Sequence, residues 1–183
     1  PDDKYAGTIT TVVGQEDLNA NHLIGFPTLK NGQTGFIDGP ATLRIRKGGI
    51  LYLDELPEAR SDSLTVVHPI TDHRRYLTIP ELGLVIEAPD TFMVIASWNP
   101  GYQARKMKKS TKDRFWPIPI TYHPPEDEAK IITKHSGIDE RYALAIANIG
   151  HHIRNLSSSD LAGGVDLSTR MLIYAAEQIM DGM

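Results

Sequence analysis

Gly48-Gly49-Ile50-Leu51-Tyr52-Leu53-Asp54-Glu55 is the stretch that decides how this chain folds. Ile50 to Leu53 is an unbroken apolar run, the pattern of a short strand buried on both faces, as parallel sheets require. Asp54 and Glu55 follow at its carboxyl end, where open α/β sheets place their ligand crevice. One carboxylate there can hold Mg²⁺ through its water shell, and a second beside it can orient or polarise an attacking water. Taken alone, the stretch also fits a strand that ends in two acidic turn residues.

The bulk composition narrows the class. At 183 residues the chain can form one domain with a proper core, or one domain and a small satellite. Its 40% hydrophobic and 23% charged content is that of an ordinary soluble globular protein. A net charge of −4 and a pI near 6.0 argue against a dedicated binder of nucleic acid or anionic membranes. No apolar run approaches the roughly 20 residues that span a bilayer, and no charged-then-apolar leader opens the chain. The lack of cysteine excludes disulfides and thiolate metal sites and fits a reducing, cytoplasmic setting.

Working outward, Thr8 to Val13 is β-branched and reads as a strand. A short segment spans Leu18 to Ile24, and Gly25 to Gly39 reads as a loop or small hairpin before a helix from Pro40 to Gly48-Gly49. Ser61 to Thr71 reads as a helix capped by Ser61 or Asp62 and kinked or ended by Pro69. Tyr76 to Ile79 and Leu84 to Glu87 form a hairpin. Phe92 to Ser97 is a second buried strand running into Asn99. Arg105 to Phe115 is basic and helical, and Ile118 to Tyr122 is a further strand. After His123 the pattern turns helical: Glu126 to Ser136, Asp139 to Leu156 and Ser168 to Met180, with a loop from Ser157 to Gly164. In the middle helix Tyr142, Ile146, Ile149, Ile153 and Leu156 make an apolar stripe. The expected organisation is an α/β core over 1–123 and a helical lid over 124–183.

The order of polar residues along this scaffold carries the chemistry. Asn99 sets a neutral amide beside Asp54 and Glu55, able to hydrogen-bond a γ-phosphate and a water without adding charge. Alone it is an Asn-Pro-Gly turn. Arg114, before the last core strand, suits a finger that reaches a neighbouring subunit's phosphates, though it also lies among the basic residues Arg105, Lys106, Lys108, Lys109 and Lys112. Arg170 opens the last helix, whose positive end would face an anion. Strand, Asp-Glu, hairpin, strand-Asn, arginine, lid, arginine is the order of a Walker B, sensor 1, trans finger and sensor 2 in an AAA+ ATPase.

Six blocks make the resemblance specific. They are Gly48 to Glu55, Glu58-Ala59-Arg60, Val67 to Arg75, Asn99-Pro100-Gly101-Tyr102-Gln103, Ser110 to Phe115, and Ser168-Thr169-Arg170-Met171-Leu172. Over nearly its whole length the chain resembles the CbbQ/NirQ/NorQ subfamily of MoxR-type AAA+ ATPases. The resemblance implies an AAA+ P-loop NTPase-type parallel sheet with a small helical lid, using ATP and Mg²⁺. It implies a homo-oligomeric ring, usually a hexamer, that works with a von Willebrand-A-type partner. Members act as chaperone-like activases of Rubisco or nitric oxide reductase through ATP-driven remodelling, including metal-site maturation. By resemblance, Asp54 binds Mg²⁺, Glu55 polarises water, Asn99 is sensor 1, Arg114 is the trans finger and Arg170 is sensor 2. Asn99 and Arg170 also contact nucleotide, and Arg74 or Arg75 helps at the subunit interface. Gly25 to Gly39 and the 76–87 hairpin face the pore or the target.

Two departures qualify this. No Gly-x-x-x-x-Gly-Lys-Ser/Thr loop occurs in the chain. The family carries that loop, with the first strand and helix, just upstream of the first residues here. That strand lies centrally, between those ending at Asn99 and starting near Ile118, so its loss would leave backbone groups unpaired. The chain therefore reads as a fragment, or as lacking an upstream segment, that is inactive alone and hydrolyses ATP in the full-length protein. The Gln103 to Ser110 segment is also shorter than expected. The alternative function is a non-catalytic interaction or scaffold module without nucleotide binding. A histidine metal site from His22, His68, His73, His123, His135, His151 and His152 lacks any ligand motif.

Overall fold

A computed structural model of the chain describes residues 8–61, 63–99, 107–157 and 167–182. They form two compact units, one up to Pro117 and one from Ile118 onward. Of the expected features, Asp62, Pro100 to Lys106 and most of the Ser157 to Gly164 loop lie outside the described residues.

The first unit is built on a parallel sheet of β1 (Ile9–Val13), β4 (Gly49–Asp54) and β7 (Phe92–Ala96), in the order β1-β4-β7. Between β1 and β4 come α1 (Ala20–Ile24), a hairpin of β2 (Gly25–Lys30) and β3 (Gln33–Asp38), and α2 (Pro40–Lys47). Asn31 and Gly32 close that hairpin with φ of 52° and 74°, the left-handed pair that a two-residue turn of matching twist needs. Between β4 and β7 come α3 (Leu64–Thr71) and the antiparallel hairpin of β5 (Tyr76–Ile79) and β6 (Leu84–Glu87). Ser63, rather than Ser61, precedes α3, and Pro69 lies within the helix.

Alternation along the parallel strands separates the two sheet faces. Leu51 and Leu53 are buried with Leu23, Ile45, Leu64, Val67 and Ile70 of the covering helices. On the opposite face Ile50 and Tyr52 are half-buried, while Ile9, Val13, Met93 and Ile95 are exposed. The strand expected to be buried on both faces is thus fully covered on one only, because α1, α2 and α3 pack against that side.

The expected helix over Arg105 to Phe115 is reduced, among the described residues, to the short α4 (Lys109–Lys112). The expected strand over Ile118 to Tyr122 does not form among the described residues. Pro117 and Pro119 lack the N–H that a ladder needs, and Trp116, Ile118 and Ile120 are 91%, 78% and 94% exposed.

The second unit packs α5 (Pro125–Ser136), α6 (Glu140–Ser157) and α7 (Thr169–Met180). Pro125 at the first helical position and the acidic Glu126 and Asp127 suit the start of α5, and Gly137 (φ 77°) ends it. In α6 the expected stripe meets the core only in part, with Ile146 packed against it and Ile153 half-buried. Tyr142, Ile149 and Leu156 are exposed, whereas Ala143, Ala147 and Gly150 are buried. Close approach explains the exchange: a Cβ on Gly150 would lie 2.6 Å from a Leu172 methyl of α7.

Candidate functional site

The carboxyl ends of adjacent parallel strands bring the first group of residues together. In the register Leu53 pairs with Ala96, so Asp54-Glu55 and Ser97 to Asn99 leave the sheet side by side. The Leu56 N–H donates to the Ser97 carbonyl at 3.1 Å, which extends that pairing past the strands. Glu55 takes a left-handed conformation (φ 50°, ψ 44°). For a residue with a Cβ this costs about 1–2 kcal/mol, and such strain collects where geometry matters more than stability. It turns the Glu55 carboxylate toward Asn99, whose Nδ2 donates to Glu55 Oε1 at 3.4 Å.

Asp54 is fixed from two sides. Ser97 Oγ donates to its Oδ1 at 2.5 Å, and the Tyr52 hydroxyl lies 3.1 Å from the same oxygen and 3.0 Å from Ser97 Oγ. The Ser97 hydroxyl bond, and after it that of Tyr52, holds the Asp54 carboxyl below the usual carboxylate range. Asp54 is therefore ionised at neutral pH, with Oδ2 outside this hydroxyl pair. Behind it, Gly14 N–H donates to the Asp54 carbonyl at 2.7 Å. A Cβ on Gly14 would stand 2.3 Å from the Glu55 carbonyl oxygen, so only glycine permits this approach.

Arg114 is paired elsewhere in the same unit. Its Nε meets Asp72 Oδ2 at 3.4 Å, and its Nη1 donates to the Ser110 carbonyl. Asp72 follows α3 and binds Arg74 in a fork, Nε to Oδ1 at 2.9 Å and Nη2 to Oδ2 at 2.7 Å. The Arg74 hydrogen bonds hold Asp72 far below the ordinary carboxylate range. Arg75 donates to the carbonyls of Pro89 (3.0 Å) and Phe92 (3.2 Å), at the entry to β7. Phe115, next to Arg114, meets Trp98, next to Asn99, edge to face at 6.1 Å between ring centres.

Arg170 lies in the second unit, exposed on the first turn of α7. The turn is anchored by Ser168, which accepts the Met171 N–H at 3.3 Å, and by Thr169, whose hydroxyl donates to Glu128 Oε1 at 2.6 Å. Glu128 is fully buried and accepts from Arg154 Nη2 at 2.5 Å. Arg154 also stacks on Tyr122 at 4.1 Å.

Of the five residues singled out by sequence, the structure joins Asp54, Glu55 and Asn99, holds Arg114 on Asp72, and sets Arg170 in the other unit. Sequence reading missed Ser97, Tyr52, Gly14, Asp72 and Glu128. A hydroxyl two residues before the strand-end amide and a glycine directly after a strand were the available signals for Ser97 and Gly14. Among the histidines, His68 Nε2 lies 3.0 Å from Thr111 Oγ1. Among the described residues, no three or more His, Asp or Glu side chains are placed to hold a metal ion, and no helix is long and apolar enough to cross a membrane.

Comparison with known proteins adds two family matches. A model described as AAA domain (dynein-related subfamily) matches residues 4–115, and one described as CbbQ/NirQ/NorQ C-terminal matches residues 128–183. The protein NorQ of Paracoccus denitrificans is 43% identical over 175 residues, covering 94% of this chain and 64% of that protein. The protein CbbQ of Hydrogenophilus thermoluteolus is 40% identical over 182 residues, covering 98% of this chain and 67% of that protein. The chain thus spans about two thirds of the length of these curated relatives. A solved structure from Cytophaga hutchinsonii, described as that of a candidate ATPase, shares the fold, with a TM-score of 0.53. It is 18% identical, over 82% of this chain and 51% of the other.

Proposed function

This chain belongs to the CbbQ/NirQ/NorQ family of MoxR-type AAA+ ATPases, and on that premise we propose that it supplies the hydrolysis half of an ATP-driven activase. The observation that carries the reading is the Asn99–Glu55 hydrogen bond beside an anchored, ionised Asp54. Together these support reading Asp54 as the metal-binding carboxylate, Glu55 as the water-orienting one and Asn99 as the neutral amide beside them, at the carboxyl edge of the sheet.

The donor set suits magnesium. Asp54 offers hard carboxylate oxygen in an orientation fixed by Ser97 and Tyr52 on Oδ1, and it would hold the ion. Bound Mg²⁺ would neutralise charge on the phosphates during phosphoryl transfer. Glu55 orients the attacking water, and Asn99 holds Glu55 before hydrolysis and offers its amide to the γ-phosphate. Arg114 acts as the finger toward a neighbouring subunit, and Arg170 as the lid arginine that meets the nucleotide. The phosphate-binding loop would lie outside these residues.

The assembly proposed is a homo-oligomeric ring, of hexameric size, acting with a von Willebrand-A-type partner on a client of nitric oxide reductase or Rubisco type. The hairpins β2–β3 and β5–β6 carry exposed Phe26, Leu29, Leu84 and Val85, surfaces suited to gripping a protein client. Magnesium-dependent ATP turnover by the full-length protein tests the proposal. Turnover that falls at least 100-fold in Asp54→Asn is expected, on the scale of lost metal ligation (about 10²-fold). No turnover in the unaltered full-length protein would favour the non-catalytic scaffold instead.

A further inference from the structure

Arg114 is not a free surface cation. Its guanidinium is held by Asp72 and by the Ser110 carbonyl, and the Arg114 and Asp72 side chains are only 25% and 15% exposed. The two guanidinium contacts of the Asp72 side chain differ in kind. Arg74 binds both carboxylate oxygens at 2.7–2.9 Å and lies over the Tyr76 ring at 5.7 Å, so it is fixed at the base of the β5–β6 hairpin. Arg114 touches one oxygen at 3.4 Å through a single N–H. A third anchor on the Asp72 side is backbone: Arg74 N–H donates to Oδ1 at 3.0 Å. Arg74 and the backbone thus hold Asp72 firmly, and Arg114 is the member that can leave.

We propose that Asp72 is the positioning residue for the Arg114 finger: it holds the guanidinium ready and yields it to the phosphates of an adjoining subunit. This rests on the reading of Arg114 as a finger acting in trans. A phosphate outcompetes a carboxylate that already shares its oxygens with Arg74, so the exchange requires no rearrangement at Asp72. The grip also limits the conformations that the long arginine side chain must lose when it engages. Because Asp72 binds Arg74 just ahead of β5, finger engagement changes the charge balance near the start of the β5–β6 hairpin.

Mixed rings of the full-length protein separate this from a merely structural role. Asp72→Asn keeps an oxygen for the Arg74 N–H but removes the charge that holds Arg114, and a ring of such subunits should turn over about tenfold more slowly. Subunits carrying Glu55→Gln cannot hydrolyse ATP but keep an intact finger. Mixed in equal amounts with Asp72→Asn subunits, they should raise turnover above that of either variant ring, because each supplies what the other lacks. Turnover below that of the Asp72→Asn ring would overturn the proposal, since Asp72 would then serve its own subunit's site or fold. The parallel mixture of Arg114→Ala with Glu55→Gln tests the underlying reading. If that mixture fails to recover activity, the trans finger itself is wrong. If it recovers and the Asp72→Asn mixture does not, only the positioning role falls. Should Asp72→Asn subunits fail to enter rings, Asp72→Glu, which keeps the charge, should assemble and retain at least half of normal turnover; failure there also contradicts the proposal.

Discussion

The Asn99 side-chain amide donates to Glu55 Oε1 across 3.4 Å, joining the ends of adjacent parallel strands β4 and β7. At that length the bond is weak. It restrains the glutamate without locking it, and a phosphate or water can replace it. The left-handed turn at Glu55 (φ 50°) makes the contact possible, and the surrounding turn is held by contacts with Gly14, Ser97 and Asn99.

Gly14 is the most sensitive of these supports. Gly14→Ala drives a methyl into the Glu55 carbonyl, whose oxygen would lie 2.3 Å away. Denaturant unfolding of the full-length protein should show a loss of about 1–3 kcal/mol, the scale of overpacking, with ATP turnover impaired as well. Unchanged stability would mean that the turn is not held as described.

Ser97→Ala removes the principal donor to Asp54 Oδ1 and leaves Tyr52 alone there. Titrating Mg²⁺ against ATP turnover should give an apparent requirement about tenfold higher or more, the usual effect of losing a partner of a metal-binding carboxylate. An unaltered titration would remove Ser97 from the metal's support.

In the helical unit, Arg154→Met leaves the fully buried Glu128 without its cation. Breaking a buried pair from one side costs about 3–5 kcal/mol. Thermal unfolding should show that loss, and Thr169→Val, which removes the remaining hydroxyl donor to Glu128, should show a smaller one. Equal stability of Arg154→Met and the unaltered protein would refute the network.

His68 makes stability depend on pH. Burial first, then the Arg114 charge, lowers its pKa below the ordinary 6.5. The unfolded chain therefore binds the proton more readily. The contribution of neutral His68 is complete above about pH 6.5 and lost as pH falls below that toward the depressed folded value. Unfolding free energies measured between pH 7 and pH 5 should decline more steeply in the unaltered protein than in His68→Gln. Matching slopes would contradict this assignment.

Much of the site was legible because its signals are local. Asp54, Glu55 and Asn99 each end an apolar run that reads as a strand, and strand order alone brings their ends together. The hairpins and most helices were readable for the same reason. What escaped depends on distance or size. Asp72 and Arg114 lie 42 residues apart, and no periodicity links them. In α6 large apolar residues formed the visible stripe, yet helix contact selected Ala143, Ala147 and Gly150, which hydrophobicity ranks lower. At Ile118 to Tyr122 the β-branched pattern suggested a strand, but Pro119 and the want of a described partner left it outside the sheet.

The central claim is that Asp54, Glu55 and Asn99 form the hydrolysis half of an ATPase site, and Glu55→Gln tests it most directly. The substitution keeps the size and the contact to Asn99 while removing the charge that orients water. In the full-length protein, ATP binding measured by calorimetry should stay within about twofold, while single-turnover cleavage falls by about 10²–10⁴, the span of general-base catalysis. Cleavage at the unaltered rate with binding intact would contradict the account.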